Sequence, residues 1–179
     1  MSEINRIEIQ HILVSFDDTP VQAQRTKDEA KVIASNLLEQ AKTAEDFAAM
    51  VLEHSDDPVR EGDPSPGVYR LLNTGIEGED FGAFVTALNA EAEAKQKELT
   101  TKIEDGEMTV ADAEKVMQVF IEDLRARGDA KQATIEHPRA AMVPAFGDVG
   151  FALEVGDVGM ADYDAEKSPF GWHIIKRLA

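Results

Sequence analysis

The sequence predicts an α+β fold with an antiparallel sheet, into which a pair of helices has been inserted. Three observations predict it. Strand-like runs, Ile7 to Val14 and Phe170 to Lys176, stand near the two ends of the chain. Between them strands and helices follow no repeating βαβ order, which argues against a parallel sheet. From about Ile76 to Arg139 the strand signals stop and only helical periodicity remains.

Each element has a local reason. Ile7 to Val14 is rich in β-branched residues and alternates, with Ile7, Ile9, His11 and Leu13 on one face and Glu8, Gln10, Ile12 and Val14 on the other. Ser15 to Arg25 carries Asp17, Asp18 and Pro20 and reads as a loop. Thr26 with Glu29 forms a capping box, and Ala30, Ile33, Ala34, Leu37 and Leu38 give the following helix an apolar stripe. A second helix is expected from Ala44 to about His54. The prolines and glycines between Asp56 and Gly67 exclude regular structure, and Val68 to Leu72 makes a brief strand.

Phe81, Phe84, Val85 and Leu88 open a long helix that runs toward Ile103 and breaks at Asp105-Gly106. Thr109 with Asp112 caps another, whose Ala113, Met117, Phe120 and Leu124 recur at amphipathic spacing, with Gly128 as its expected stop. Together they make a helical hairpin over residues 76–138. His137 falls in a loop. After Met142 to Phe146, a short apolar segment from Val149 to Val155 and turns around Gly156, Gly159 and Asp162 to Glu166 lead to the final buried strand.

The bulk numbers narrow the function classes. The chain of 179 residues is 43% hydrophobic and 30% charged, as a soluble globular protein is. Its net charge of −17 repels phosphate backbones, so no nucleic-acid partner is expected. No apolar run approaches the length of a membrane span. Met1 to Arg6 lacks the apolar core of a secretory signal, which leads to an expected cytoplasmic location. The absence of cysteine excludes disulfides, thiolate metal sites and a cysteine nucleophile. Metal-binding, nucleotide-binding and serine-hydrolase motifs do not occur, so neither metal nor cofactor is expected.

Three blocks carry a resemblance. They are Gln10-His11-Ile12-Leu13-Val14; Phe47 to Ser55 followed by Asp56-Asp57-Pro58; and Met142-Val143-Pro144-Ala145-Phe146 with the later Phe170-Gly171-Trp172-His173-Ile174-Ile175-Lys176. In this order they resemble the parvulin-type peptidyl-prolyl cis–trans isomerases. The resemblance implies a parvulin-like antiparallel four-stranded sheet flanked by helices, built from residues 5–75 and 139–179. It departs from the family at the glycine-rich motif after the active-site loop, whose best match is Pro66-Gly67-Val68-Tyr69-Arg70, and in the insertion that follows. The basic cluster of phospho-specific members is absent, since the loop from Ser15 to Arg25 holds two aspartates and one arginine.

The resemblance also implies a site. His11, Asp57 and His173 are its expected catalytic residues, the histidines holding one another's tautomers and the carboxylate tuning them. Met142 and Phe146 form an apolar cup for the proline ring, Tyr69 and Phe170 close it, and Ser168 places a hydroxyl at the rim. Without the resemblance, His11 and His173 read rather as structural core histidines and Met142 and Phe146 as packing, and Asp57 before Pro58 reads also as a turn former. The expected partners are proline-containing segments or unfolded proteins; oligomeric state is open. The expected activity is non-covalent isomerisation of X-Pro bonds without a phosphate requirement, assisting protein folding. The alternative is a parvulin-fold chaperone or peptide-binding module with little activity. A hydrolase built on His54, Ser55 and Asp57 has poor geometry, because the three sit together at a helix end.

Overall fold

A computed structural model describes residues 4–59, 62–76 and 78–179. The elements run β1 (Arg6–Val14), α1 (Lys27–Ala41), α2 (Phe47–His54), β2 (Val68–Leu72), α3 (Phe81–Glu104), α4 (Val110–Gln132), β3 (Glu136–Pro138), a 3-10 turn (Arg139–Ala141), α5 (Pro144–Ala152), β4 (Val158–Ala161) and β5 (Trp172–Arg177). The chain divides into two compact units, Met1–Gly78 with Glu136–Ala179 and, separately, Glu79–Ile135.

The first unit is an α+β domain on one sheet of order β3-β2-β1-β5-β4. β1 lies at the centre, antiparallel to β2 and β5, and β4 is antiparallel to β5. The sheet has five strands rather than the expected four, because Glu136–Pro138 pairs parallel to β2. This corrects the placement of His137 in a loop. Three residues are too few to display a strand's alternation, and a proline ends the segment, as an edge strand tolerates.

A core covers each face, which explains why β1 is buried along most of its length. Ile12, Val14, Trp172 and Ile174 meet Ala30, Ala34 and Leu37 of α1 and Phe47 and Val51 of α2. Ile7, Ile9, Leu71 and Ile175 meet Phe146 of α5 and Ala161. His11 and His173 belong to the second face by the alternation of their strands. Gln10, on the first face, is buried and donates from Nε2 to Pro66 O at 2.8 Å.

Local chemistry sets the helix starts. The Thr26–Glu29 capping box of α1 is present in both directions. α2 begins at Phe47, not Ala44, because Asp46 accepts from the Ala49 N–H and so caps it. Pro144 opens α5, where its missing N–H costs nothing.

The second unit is the hairpin of α3 and α4. Asp80 and Thr109 cap the two helices, and Gly106 turns between them at φ 74°. Leu88 and Leu99 on α3 and Ala113 and Leu124 on α4 are its buried residues. α4 continues past Gly128 to Gln132, against expectation. A Cβ on Gly128 would lie 3.7 Å from a Leu88 methyl, so this glycine sits where the helices approach rather than at a helix end. The Arg127 guanidinium grips Glu91 across the hairpin through two hydrogen bonds of 2.7 and 2.8 Å.

Candidate active site

The two histidines stand on adjacent central strands. Leu13 faces His173 and His11 faces Ile175, which makes His11 and His173 diagonal neighbours on one face. Their Nδ1 atoms are 3.2 Å apart. The Nε2 of His11 lies 3.1 Å from Asp57 Oδ2, and the Tyr69 hydroxyl donates to that same oxygen, also at 3.1 Å. Tyr69 arrives from β2, opposite Ile9.

The network sets the proton positions. Asp57 accepts, so His11 carries its proton on Nε2. The two Nδ1 atoms share one proton across their gap. His173 Nε2 is buried without a partner among the described residues. Burial, with the nearby charge of His11, pushes the His173 imidazole down to about 3, against a smaller opposing effect of Asp57. Burial pushes the Asp57 carboxyl up, but the His11 hydrogen bond and charge, with the Tyr69 hydroxyl, outweigh it and hold it below its usual value. Burial beside Asp57 raises the Tyr69 phenol to about 12, so it remains a donor.

The network forms one end of a cavity of about 270 Å³. Met142, Phe146 and Phe170 supply apolar wall, joined by Leu13, Val21, Ala141 and Val143. The Phe146 ring stands edge-on to both histidines, 5.0 Å from His11 and 5.2 Å from His173 between centroids. Tyr69 packs edge-on against His11 at 5.2 Å and Phe146 at 5.7 Å, and the His137 ring backs it at 5.6 Å.

Asp57 is held from behind. Ser55 Oγ accepts from the backbone N–H of Leu13 at 3.0 Å and of Asp57 at 3.3 Å. Asp56 accepts from Ser15 N and pairs through both oxygens with the Arg25 guanidinium, which also donates to Ser15 O. This brace ties the end of β1, the loop that carries Val21 and the segment that carries Asp57. Asp57 takes His11, not His54, as its imidazole partner.

Seven of the eight site residues singled out from the sequence meet in this cavity. Ser168 does not. It is fully buried, and its hydroxyl donates to Gly171 O at 2.9 Å, shaping the turn into β5 rather than the rim. Sequence reading missed Val21, Leu13, Ala141 and Val143, which have no chemical signature, and the Arg25–Asp56 brace. Among the described residues no cluster of ligating side chains suits a metal, and no helix is long and apolar enough to cross a membrane.

Comparison with known proteins agrees with the resemblance. Residues 1–67 match a family model described as a PPIC-type PPIASE domain. That stretch holds β1, α1 and α2, hence His11 and Asp57. Among curated proteins, the chain is similar to "Chaperone SurA" of Sodalis glossinidius (strain morsitans), with 23% identity over 219 aligned positions that cover 95% of this chain and 48% of the relative. The chain thus spans about half the length of the curated relative it matches.

Proposed function

We propose, on the premise of a parvulin-type fold and a PPIC-type match through residues 1–67, that this protein accelerates cis–trans interconversion of X-Pro bonds in polypeptide segments. The observation that carries the reading is the union, in one cavity, of an apolar cup with the Asp57–His11–His173 chain. A volume of about 270 Å³ lies below the ~300–1,000 Å³ of sites for drug-sized ligands. It suits one proline ring and its flanking amides.

The reaction needs no bond broken. Its barrier of about 18–20 kcal/mol is the loss of amide resonance on twisting. Both X-Pro isomers are populated, and exchange takes roughly tens to hundreds of seconds without help. A site accelerates exchange by binding the twisted amide better than either planar form. A thousandfold gain requires about 4 kcal/mol of such preference.

Met142, Phe146 and Phe170 hold the ring and exclude water. A carbonyl oxygen loses negative charge as its amide twists, so a dry wall costs the twisted form less than the planar forms. His11 keeps Asp57 ionised while His173, neutral and buried, fixes the His11 ring from behind. No covalent step is invoked, and among the described residues the cavity offers no cationic cluster to demand a phosphate.

The test is a protease-free assay of a short X-Pro peptide. Acceleration at micromolar protein, lowered by Phe146→Ala or Asp57→Ala in a folded variant, supports the reading. An uncatalysed rate at every concentration rejects it. A second reading, a parvulin-fold chaperone with little turnover, draws on the relative's description as a chaperone. It predicts suppression of client aggregation by a protein that leaves the peptide rate unchanged.

A further inference from the structure

We infer that the site selects polypeptides with a cationic side chain beside the target proline, and that Asp57 Oδ1 is the atom that receives it. The inference rests on the prolyl-isomerase reading for the place of the proline ring, and on the charge layout for the rest.

Four observations converge. Asp57 lines the cavity with its side chain 29% exposed, yet both internal donors, His11 Nε2 and Tyr69 OH, converge on Oδ2. Oδ1 has no protein partner among the described residues, so half of an ionised carboxylate is left for a ligand. Among the described residues the cavity wall contains no lysine or arginine. The neighbouring loop, which contributes Val21 to the wall, exposes Asp17 and Asp18, while its cation Arg25 is consumed by Asp56 and Ser15 O. Finally, the net charge of −17 favours the approach of cationic chains.

A lysine or arginine flanking the proline fits this layout. Its aliphatic stem covers the apolar rim while its head makes a charge-assisted hydrogen bond to Oδ1. A glutamate at the same place meets the like charge of the Asp57 carboxylate. The selectivity is therefore twofold in origin, attraction for one sign and repulsion for the other.

The probes are peptides that differ only in the residue before proline: Lys, Leu or Glu. Their dissociation constants are read by fluorescence anisotropy and their turnover by the protease-free assay, at low and at high salt. At low salt the expected order is Lys, then Leu, then Glu, with roughly fivefold between neighbours for a partly exposed pair. Salt should compress the order, since the Debye length falls from ~10 Å at 0.1 M to ~3 Å at 1 M. Asp57→Asn should bring the Lys-to-Glu ratio close to one, whatever it does to the overall rate. Equal affinities, a preference for Glu, or a ratio that survives Asp57→Asn overturns the inference. The wild-type series decides it even if that variant fails to fold. The charge order in binding without any turnover would reject the isomerase reading and leave this one standing.

Discussion

Two donors converge on one oxygen of Asp57, and the network they belong to makes two separate predictions about acid. Tyr69→Phe keeps the ring that packs on His11 and Phe146 but deletes a hydrogen bond to a charged acceptor, worth roughly 1.5–3 kcal/mol. The carboxyl then rises from its lowered value, so the acid limb of the pH–rate profile moves to higher pH. An acid limb that stays in place removes Tyr69 from the network. The second prediction concerns His173. Its folded value of about 3 lies below the usual 6.5, because burial resists the charged ring. Between those values the unfolded chain binds a proton that the folded chain refuses. Stability is therefore complete above about pH 6.5 and falls as pH drops toward 3, by on the order of 1 kcal/mol for each pH unit. Urea unfolding of the wild type and of His173→Leu across this window checks it: the variant should show the flatter slope.

The elements that deliver these residues depend on close backbone approach, most severely at Gly171. Its φ is 141°, and a Cβ there would sit 2.2 Å from Val14 O, where the chain turns into β5. Gly156 also has positive φ, at 93°, but open space around it. Gly156→Ala should therefore cost only backbone strain, roughly 1–2 kcal/mol. Gly171→Ala adds a backbone collision beside His173 and should exceed about 4 kcal/mol. Thermal melts of the two variants give the comparison; equal losses would mean that the turn relaxes freely. What the sequence disclosed follows the same division between local and distant causes. The Thr26 and Thr109 caps were readable because each cap and its helix N–H partner lie three residues apart. The stop placed at Gly128 failed because its partner, Leu88, is forty residues away. β3 was hidden because only pairing with β2 makes Glu136–Pro138 a strand. In the site, residues with distinctive chemistry were found and Val21 was not. Ser168 was drawn to the rim by its hydroxyl, whereas the fold uses that hydroxyl internally.

The two compact units predict how the molecule tolerates surgery. Every described residue that lines the cavity belongs to Met1–Gly78 or Glu136–Ala179, and so does every strand of the sheet among the described residues. The chain leaves and re-enters this unit at nearly one point, since a Cβ on Gly78 would lie 3.3 Å from Glu136 O. Excision of residues 79–135 with a short glycine linker therefore asks little of the backbone, and a short linker closes at no greater entropic cost than a long one. The cut must spare Glu136–Pro138, because β3 covers the β2 edge that presents Tyr69. The shortened protein should unfold cooperatively in urea and turn over a short X-Pro peptide within about twofold of the full chain, a ratio of less than ~0.5 kcal/mol in barrier. If the hairpin recruits clients through the exposed Val85 of α3 and Val110, Val116 and Val119 of α4, the same protein should lose suppression of client aggregation while keeping that turnover. Loss of turnover in a folded excision variant would instead make the hairpin a working part of the proline site.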